Sequence, residues 1–70
     1  MSFRERLVEA SCSAVTSAGA GDIVEAYRSA LRMISLIHEI EFHEGTPVGL
    51  NWVMDEVMRE ERLRSFRRAL

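Results

Sequence analysis

The central stretch of this sequence, residues 23–42, carries more apolar side chains than one small helical protein can easily bury. If the stretch forms a helix at about 100° per residue, its apolar side chains cover roughly 240° of the circumference. A helix on a protein surface normally presents an apolar stripe of about 100° or slightly more. We therefore expect two neighbours to cover this helix. Each neighbour is either another helix of the same chain or another protein.

The length of the chain limits the size of its core. Seventy residues form one domain, which we take to span residues 1–70. A core of this size rarely supplies more than about 3 to 5 kcal/mol without disulfides, a metal or oligomerisation. The single cysteine, Cys12, cannot form an intramolecular disulfide, and we expect it to be a buried helix residue. Self-association is the expected source of additional stability.

Composition and charge restrict the compartment and the partners. The sequence shows no basic leader before a long apolar core, and no run approaches the roughly 20 apolar residues of a membrane span. We expect a cytoplasmic protein with no membrane partner. All nine basic residues are arginine, and the net charge of −2 argues against a polyanion as the main partner.

Glycine and proline divide the chain into three helical segments, predicted over about residues 3–18, 23–43 and 47–69. Pro47 suits the first turn of the third helix, although regular helix could instead begin near Asn51. The connections are short, and short connections imply antiparallel neighbours. The predicted fold is all-α, with an antiparallel hairpin of helices one and two plus a C-terminal helix. We expect a homodimeric helical bundle, since two-fold dimers are the commonest oligomers.

Local signals mark where these helices begin and end. Ser2 stands three residues before Glu5, and Asp22 three residues before Glu25, so each side chain can accept a hydrogen bond from a free amide at a helix start. Gly45 can adopt the positive φ angle that ends many helices.

The apolar arc of helix two divides into a stripe for helix one and a flank for a partner. Helix one presents small residues that would let a second helix approach closely. The stripe expected to pack on helix one comprises Ile23, Tyr27, Ala30, Ile34 and Ile37. The flank left for a partner comprises Met33, Leu36 and Ile40.

Glu41 lies within this apolar arc, where a carboxylate is out of place. A buried carboxylate must be paired or neutralised. We expect an arginine, a backbone donor or a partner's basic group beside it, unless the last turn of the helix frays.

The third helix carries two apolar stripes on nearly opposite sides. The stripe expected to join the core comprises Leu50, Val53, Met54, Val57 and Met58. The second stripe, a candidate contact surface, comprises Trp52, Leu63, Phe66 and Leu70. The helix could bend around Glu60, but oppositely charged pairs four residues apart, such as Asp55 with Arg59, favour one continuous helix.

No constellation for catalysis or metal binding is evident, so we expect neither an enzyme nor a cofactor. His38 and His43 are five residues apart, which rotates their side chains by about 140° around a helix, whereas zinc proteases use a spacing of four. The serines lie within helical segments, without the strand and turn that a nucleophile elbow requires.

The C-terminal arginines raise nucleic-acid binding as an alternative function. Residues 62–70 contain four arginines and no acid. On a helix, however, these arginines scatter around the axis, whereas a helix that docks in a groove presents one basic face. Cations near the end of a helix are stabilising in any protein. We therefore do not expect nucleic acid as a partner.

In size and style the chain resembles the small helical regulators, anti-activators and inhibitors of bacteria and their phages, although it has no diagnostic motif. We therefore expect a non-enzymatic regulator that occludes an unidentified target protein, with a second copy of itself as the other partner. Tyrosine, tryptophan and arginine are the residue types most often found at binding hot spots. The predicted interface residues are Tyr27, Arg28, Leu31, Arg32, Met33, Leu36, Ile40, Glu41, Trp52, Leu63, Phe66 and Leu70.

Overall fold

The computed structural model describes residues 2–69, which form three helices joined by short connections. Helix α1 spans Phe3–Gly19, α2 spans Ile23–Glu44 and α3 spans Leu50–Ala69. The predicted all-α class is confirmed, and α3 is one uninterrupted helix. It begins at Leu50, close to the later of the two predicted starts. The segment around Pro47 therefore lies outside regular structure.

The helix ends follow the local signals in the sequence. The Ser2 hydroxyl accepts a hydrogen bond from the Glu5 amide at 3.1 Å, which completes the first turn of α1. The Asp22 carboxylate accepts one from the Glu25 amide at the same distance. After α2, Gly45 adopts a φ of 71°, a left-handed conformation that suits glycine because it has no Cβ. The caps predicted at Ser2, Asp22 and Gly45 are confirmed.

Helix α1 is the central element, because it packs against both α2 and α3. Arg4 near the start of α1 forms an ion pair with Glu44 at the end of α2. The two helices are therefore antiparallel. The guanidinium of Arg4 also lies 4.9 Å from the centre of the Trp52 ring near the start of α3. Helix α3 therefore runs parallel to α1. Within the described residues, α2 and α3 bring no pair of Cα atoms within 8 Å of each other.

The core is small and lies between α1 and the adjoining parts of the other two helices. Its buried apolar residues are Leu7, Ala10, Cys12, Ile40, Val53 and Val57. Cys12 is buried as predicted, and this burial raises the pKa of its thiol. Met33, Leu36 and Trp52 are partly buried and pack against the core from its edges.

Helix α2 is rotated relative to the prediction. The stripe expected on α1 was wrong for Ile23, Tyr27 and Ile34, which are 70%, 66% and 53% exposed, whereas Ile37 is partly buried against the core. On the side of α2 that faces α1, Ile40 lies in the core, and Ser29 is fully buried and donates a hydrogen bond to the Ser13 hydroxyl at 3.0 Å. The small size of Ser29 allows the two helices to approach closely. The prediction failed because the apolar arc of α2 is so wide that hydrophobicity alone does not determine which side packs on α1.

The core-facing side of α3 is narrower than predicted. Val53 and Val57 are buried, whereas Leu50, Met54 and Met58 are each more than half exposed. The predicted five-residue core stripe was therefore wrong for these three. These three side chains are exposed because α3 packs on α1 and, within the described residues, does not approach α2 closely, so the side of α3 turned toward α2 is left uncovered.

Candidate protein-binding surfaces

An open recess with an almost entirely apolar lining forms a groove between α2 and α3, with α1 as its floor. Its volume is about 580 Å³. Ser11, Ala14 and Val15 of α1 lie along the floor, and Met33 belongs to the α2 side. On the α3 side are the exposed side chains Leu50, Met54 and Met58. Charged side chains line the groove only at one end, where Glu61 and Arg62 lie. We call this feature the α2–α3 groove.

A second exposed surface lies on the side of α2 turned away from the core. Val24, Tyr27, Arg28 and Leu31 are all exposed, and their spacing places them along one stripe of the helix. We call these four residues the outer stripe. A tyrosine and an arginine beside aliphatic groups are the side-chain types that anchor protein interfaces.

Ile40, one of the predicted interface residues, is not available to a partner. It is 2% exposed and lies in the chain's own core between α1 and α3. Met33 and Leu36, predicted beside it, also pack against this core and are only partly accessible. Placing Ile40 on the free apolar flank of α2 was therefore wrong, because α2 turns this side chain into the core, whereas Met33 and Leu36 keep part of their surface accessible.

Glu41 has the backbone donor that its position required. Its carboxylate accepts a hydrogen bond from the Val48 amide at 3.2 Å, so the half-buried charge is paired within the chain. The expectation of a nearby donor is confirmed. This contact also holds the connection between α2 and α3 against the end of α2.

Arg32 and Trp52 are engaged with neighbours in their own chain. Arg32 donates hydrogen bonds to the Ser29 hydroxyl at 2.9 Å and to the Glu25 carboxylate at 3.3 Å. Trp52 is half-buried beneath the guanidinium of Arg4 and packs on the core. Both residues therefore have a structural role in addition to any contact with a partner.

The second predicted stripe of α3 is only partly open. Leu63 and Phe66 are exposed, and Phe66 is the more accessible of the two. Leu70 lies outside the described residues. Because Trp52 packs on the core, the open part of this stripe is confined to the C-terminal half of α3.

The end of α2 brings together aromatic and polar side chains. The His43 ring stacks on Phe3 with ring centres 5.6 Å apart, and its Nε2 lies 3.6 Å from a Glu39 carboxylate oxygen. Within residues 2–69, no three or more histidine, cysteine or acidic side chains are grouped so that they could hold a metal ion. The arrangement connects α1 to the end of α2.

The shortest exposed ion pair among the described residues also connects these two helices. Arg4 donates hydrogen bonds to both carboxylate oxygens of Glu44, at 3.1 and 2.5 Å. These bonds hold the pKa of Glu44 below its ordinary value and raise the pKa of Arg4. Both side chains are exposed, so salt screens much of this attraction.

The arginines of α3 do not form a single free basic face. Arg59 pairs with Glu56 at 2.7 Å, and Arg64 pairs with Glu61 at 3.4 Å. Arg64 also donates a hydrogen bond to the Thr16 hydroxyl at 2.9 Å, which connects α3 to α1. These contacts partly neutralise the positive charge on which the nucleic-acid alternative depends.

Comparisons of the chain with protein-family models, with curated proteins and with solved structures found no match. None of the described helices has a stretch long and apolar enough to cross a membrane. Function is therefore inferred from the chain's own surfaces.

Sequence reasoning missed two features of these surfaces. Ser29 was treated only as a serine without catalytic context, although its small size is the signal for a close helix contact. The α2–α3 groove was missed because Leu50, Met54 and Met58 of α3 were expected to join the core, whereas they are exposed. Its signal is the pair Met54 and Met58, whose flexible side chains are common at adaptable binding surfaces.

Proposed function

We propose that this chain is a non-enzymatic regulatory protein of the cytoplasm that binds another protein stoichiometrically and covers part of its surface, as bacterial and phage inhibitors do. One observation carries the proposal. Thirteen large hydrophobic side chains of the described residues are exposed, whereas the core buries only six hydrophobic residues. Exposed apolar patches rimmed by polar groups mark interaction sites in soluble proteins.

The outer stripe is the proposed contact with the target. Burying a large apolar side chain completely is worth about 1.5 to 3 kcal/mol, so Val24 and Leu31 together can supply a substantial part of a binding free energy. Tyr27 adds a large ring with a hydroxyl that can reach a polar group at the edge of an interface. The opposite side of α2 is held on α1 by the hydrogen bond between Ser29 and Ser13, so the stripe faces away from the chain's own helices.

The residues of the outer stripe also indicate what kind of surface the target would present. Within the described residues, no ion pair or side-chain hydrogen bond involves Arg28, which lies beside the apolar members of the stripe. A matching surface would offer an apolar recess with a carboxylate at its edge, since arginine pairs with carboxylates in a bidentate manner.

The test compares wild type with Leu31→Glu and with a control, Asn51→Glu, which adds the same charge at an exposed position in the first turn of α3. Each tagged chain would be used to capture proteins from an extract of its native host, with quantitative mass spectrometry as the readout. We expect a protein that wild type and Asn51→Glu retain and that Leu31→Glu loses. After purification, this protein should titrate the chain to a fixed stoichiometry in calorimetry.

The same set of proteins on all three baits would contradict a target contact at the outer stripe. Circular dichroism of each variant establishes that helix content is unchanged, so that a loss of capture reports binding. Leu31 is nearly half exposed, and its replacement leaves the core intact.

A further inference from the structure

We infer that the α2–α3 groove is the seat for α2 of a second copy of this chain, so that two copies form a two-fold dimer in which each α2 lies in the other's groove. The inference is independent of the proposed target, because it concerns the purified chain alone. It uses the side of α2 next to the groove and leaves the outer stripe free.

The helices occupy three corners of a four-helix bundle. Helix α1 packs against both α2 and α3, but within the described residues α2 and α3 do not approach each other closely. Three helices with this pattern leave open the corner diagonally opposite α1, and the groove of about 580 Å³ lies there. A helix in that corner would contact α2 and α3 at the usual interaxial distance of about 8–10 Å.

The side of α2 next to the groove has the chemistry of a suitable occupant. Ile34 and Ile23 are more than half exposed, and Ala30 and Ile37 lie on the same side of the helix. We call these four residues the α2 ridge. It carries no charge, which matches a groove whose charged residues are confined to one end. The methionines on the α3 side can adapt their shape to the incoming side chains.

Glu41 lies one turn beyond Ile37 on the same side of α2, and its carboxylate is already hydrogen-bonded to the Val48 amide. The charges of α2 between Ile23 and Ile37 lie away from the ridge. Glu25 and Arg32 pair with each other at 3.3 Å, and Arg32 also bonds Ser29, which faces α1. Seating the ridge in the groove therefore buries none of these charged groups. An interface that buries unpaired charge would be costly.

The position of α2 makes the contact reciprocal. The α2 helix is one side of the groove and also carries the ridge, so placing the second copy's α2 in the groove brings the first copy's α2 toward the second groove. A two-fold interface has this self-complementary form, and it closes at two copies. Both the grooves and the ridges become covered in the same step.

The apolar area is sufficient for a stable dimer. Six side chains on the ridge and in the groove are at least half exposed: Val15, Ile23, Ile34, Leu50, Met54 and Met58. At roughly 100 Å² for each such side chain, they provide about 600 Å² per copy. Partly exposed Met33 and Ile37 add to this value. A standard-size interface takes roughly 600 to 1,000 Å² from each partner.

The first experiment measures the mass of the purified full chain by analytical ultracentrifugation across a concentration series. We expect wild type to be a dimer and Met58→Glu to raise the dimer dissociation constant by about 100-fold or more, since the new carboxylate would be buried in an apolar groove. Met58→Lys is a second variant with the same expected direction. Circular dichroism checks that both variants are folded.

Val24→Glu is the matched control for this experiment. Val24 is as exposed as Met58, but it belongs to the outer stripe, and an acidic residue in the first turn of α2 favours the helix. We expect this variant to remain dimeric. A wild-type chain that is monomeric at 0.5 mM (about 4 mg/ml), or equal dimer dissociation constants for Met58→Glu and Val24→Glu, would overturn the inference.

The second experiment tests the reciprocal seating. Ile34→Glu damages the ridge and Met58→Glu damages the groove, so each variant alone should be monomeric. Their mixture can form a heterodimer that keeps one intact ridge in one intact groove, and we expect it to sediment partly as a dimer. A mixture that remains as monomeric as its components would contradict the seating of ridge in groove.

Discussion

The two halves of this molecule are built from the same three helices but differ in what holds them together. The closed half comprises residues 3–12 of α1, 33–44 of α2 and 50–57 of α3. The open half comprises residues 13–19, 23–32 and 58–69. Every buried apolar residue of the described chain lies in the closed half, whereas the only buried side chain described in the open half is that of Ser29.

The contacts between helices show the same difference. In the closed half, Arg4 contacts both Glu44 and Trp52, and Glu41 accepts a hydrogen bond from the connection before α3. In the open half, the helices are joined by hydrogen bonds between small or exposed polar groups, such as Ser29 with Ser13. The closed half therefore supplies the stability of the fold, and the open half, which contains the outer stripe, has apolar surface left for partners.

The largest expected effect comes from truncating the core of the closed half. Leu7 is fully buried, and Leu7→Ala should cost about 2 to 5 kcal/mol. A chain of this size has only about 3 to 5 kcal/mol from its core, so the variant should be largely unfolded at 25 °C in circular dichroism melts. Val15→Ala, on the same helix but in the open half, should change stability in dilute solution by no more than about 0.5 kcal/mol. Equal losses from the two variants would contradict the division into halves.

The sequence predicted the helices well because their ends depend on local chemistry. Ser2, Asp22 and Gly45 each act on their own turn of helix, so a short window of sequence contains the whole signal. The rotation of α2 could not be predicted in the same way. Several sides of the α2 apolar arc have similar hydrophobicity, so a short window of sequence does not determine which side packs on α1. In the structure, this side contains Ser29, which contacts Ser13, a residue distant in the sequence.

An intermediate effect is expected at the end of α2. Glu41→Ala removes the acceptor of the Val48 amide, and leaving that half-buried donor unpaired should cost about 1 to 2 kcal/mol. Glu41→Gln keeps an acceptor oxygen and should cost less. Hydrogen exchange followed by NMR checks the reason, because the Val48 amide should exchange faster in the alanine variant than in wild type. Unchanged exchange would show that this hydrogen bond does not secure the connection.

The binding surfaces could be predicted only in part. The excess of apolar surface on α2 was evident from composition and spacing, and Tyr27, Arg28 and Leu31 are exposed among the predicted interface residues. The groove depends on α3 packing against α1 without α2, and this is a property of three helices together. Ile40 belongs to the same wide apolar arc of α2 as the exposed residues. The sequence alone therefore could not show that Ile40 is buried and the others are exposed.

The smallest expected effect concerns the ion pair of the closed half. Arg4 lowers the pKa of Glu44 in the folded chain below its ordinary value of 4.5. The pair therefore stabilises the fold fully above pH 4.5, and this contribution is lost as the pH falls from 4.5 through the lowered pKa. Arg4→Gln should reduce the melting temperature slightly at pH 7, and its curve should converge on wild type toward low pH.

Arg28→Gln is the control in the open half, where none of the described residues forms an ion pair with Arg28. Its difference from wild type should stay nearly constant across the same pH range. Added salt should narrow the gap between wild type and Arg4→Gln at pH 7, since both partners are exposed. If the gap for Arg4→Gln is independent of both pH and salt, the contribution of Arg4 comes from its packing over Trp52, and the closed half is held by apolar contacts without help from the ion pair.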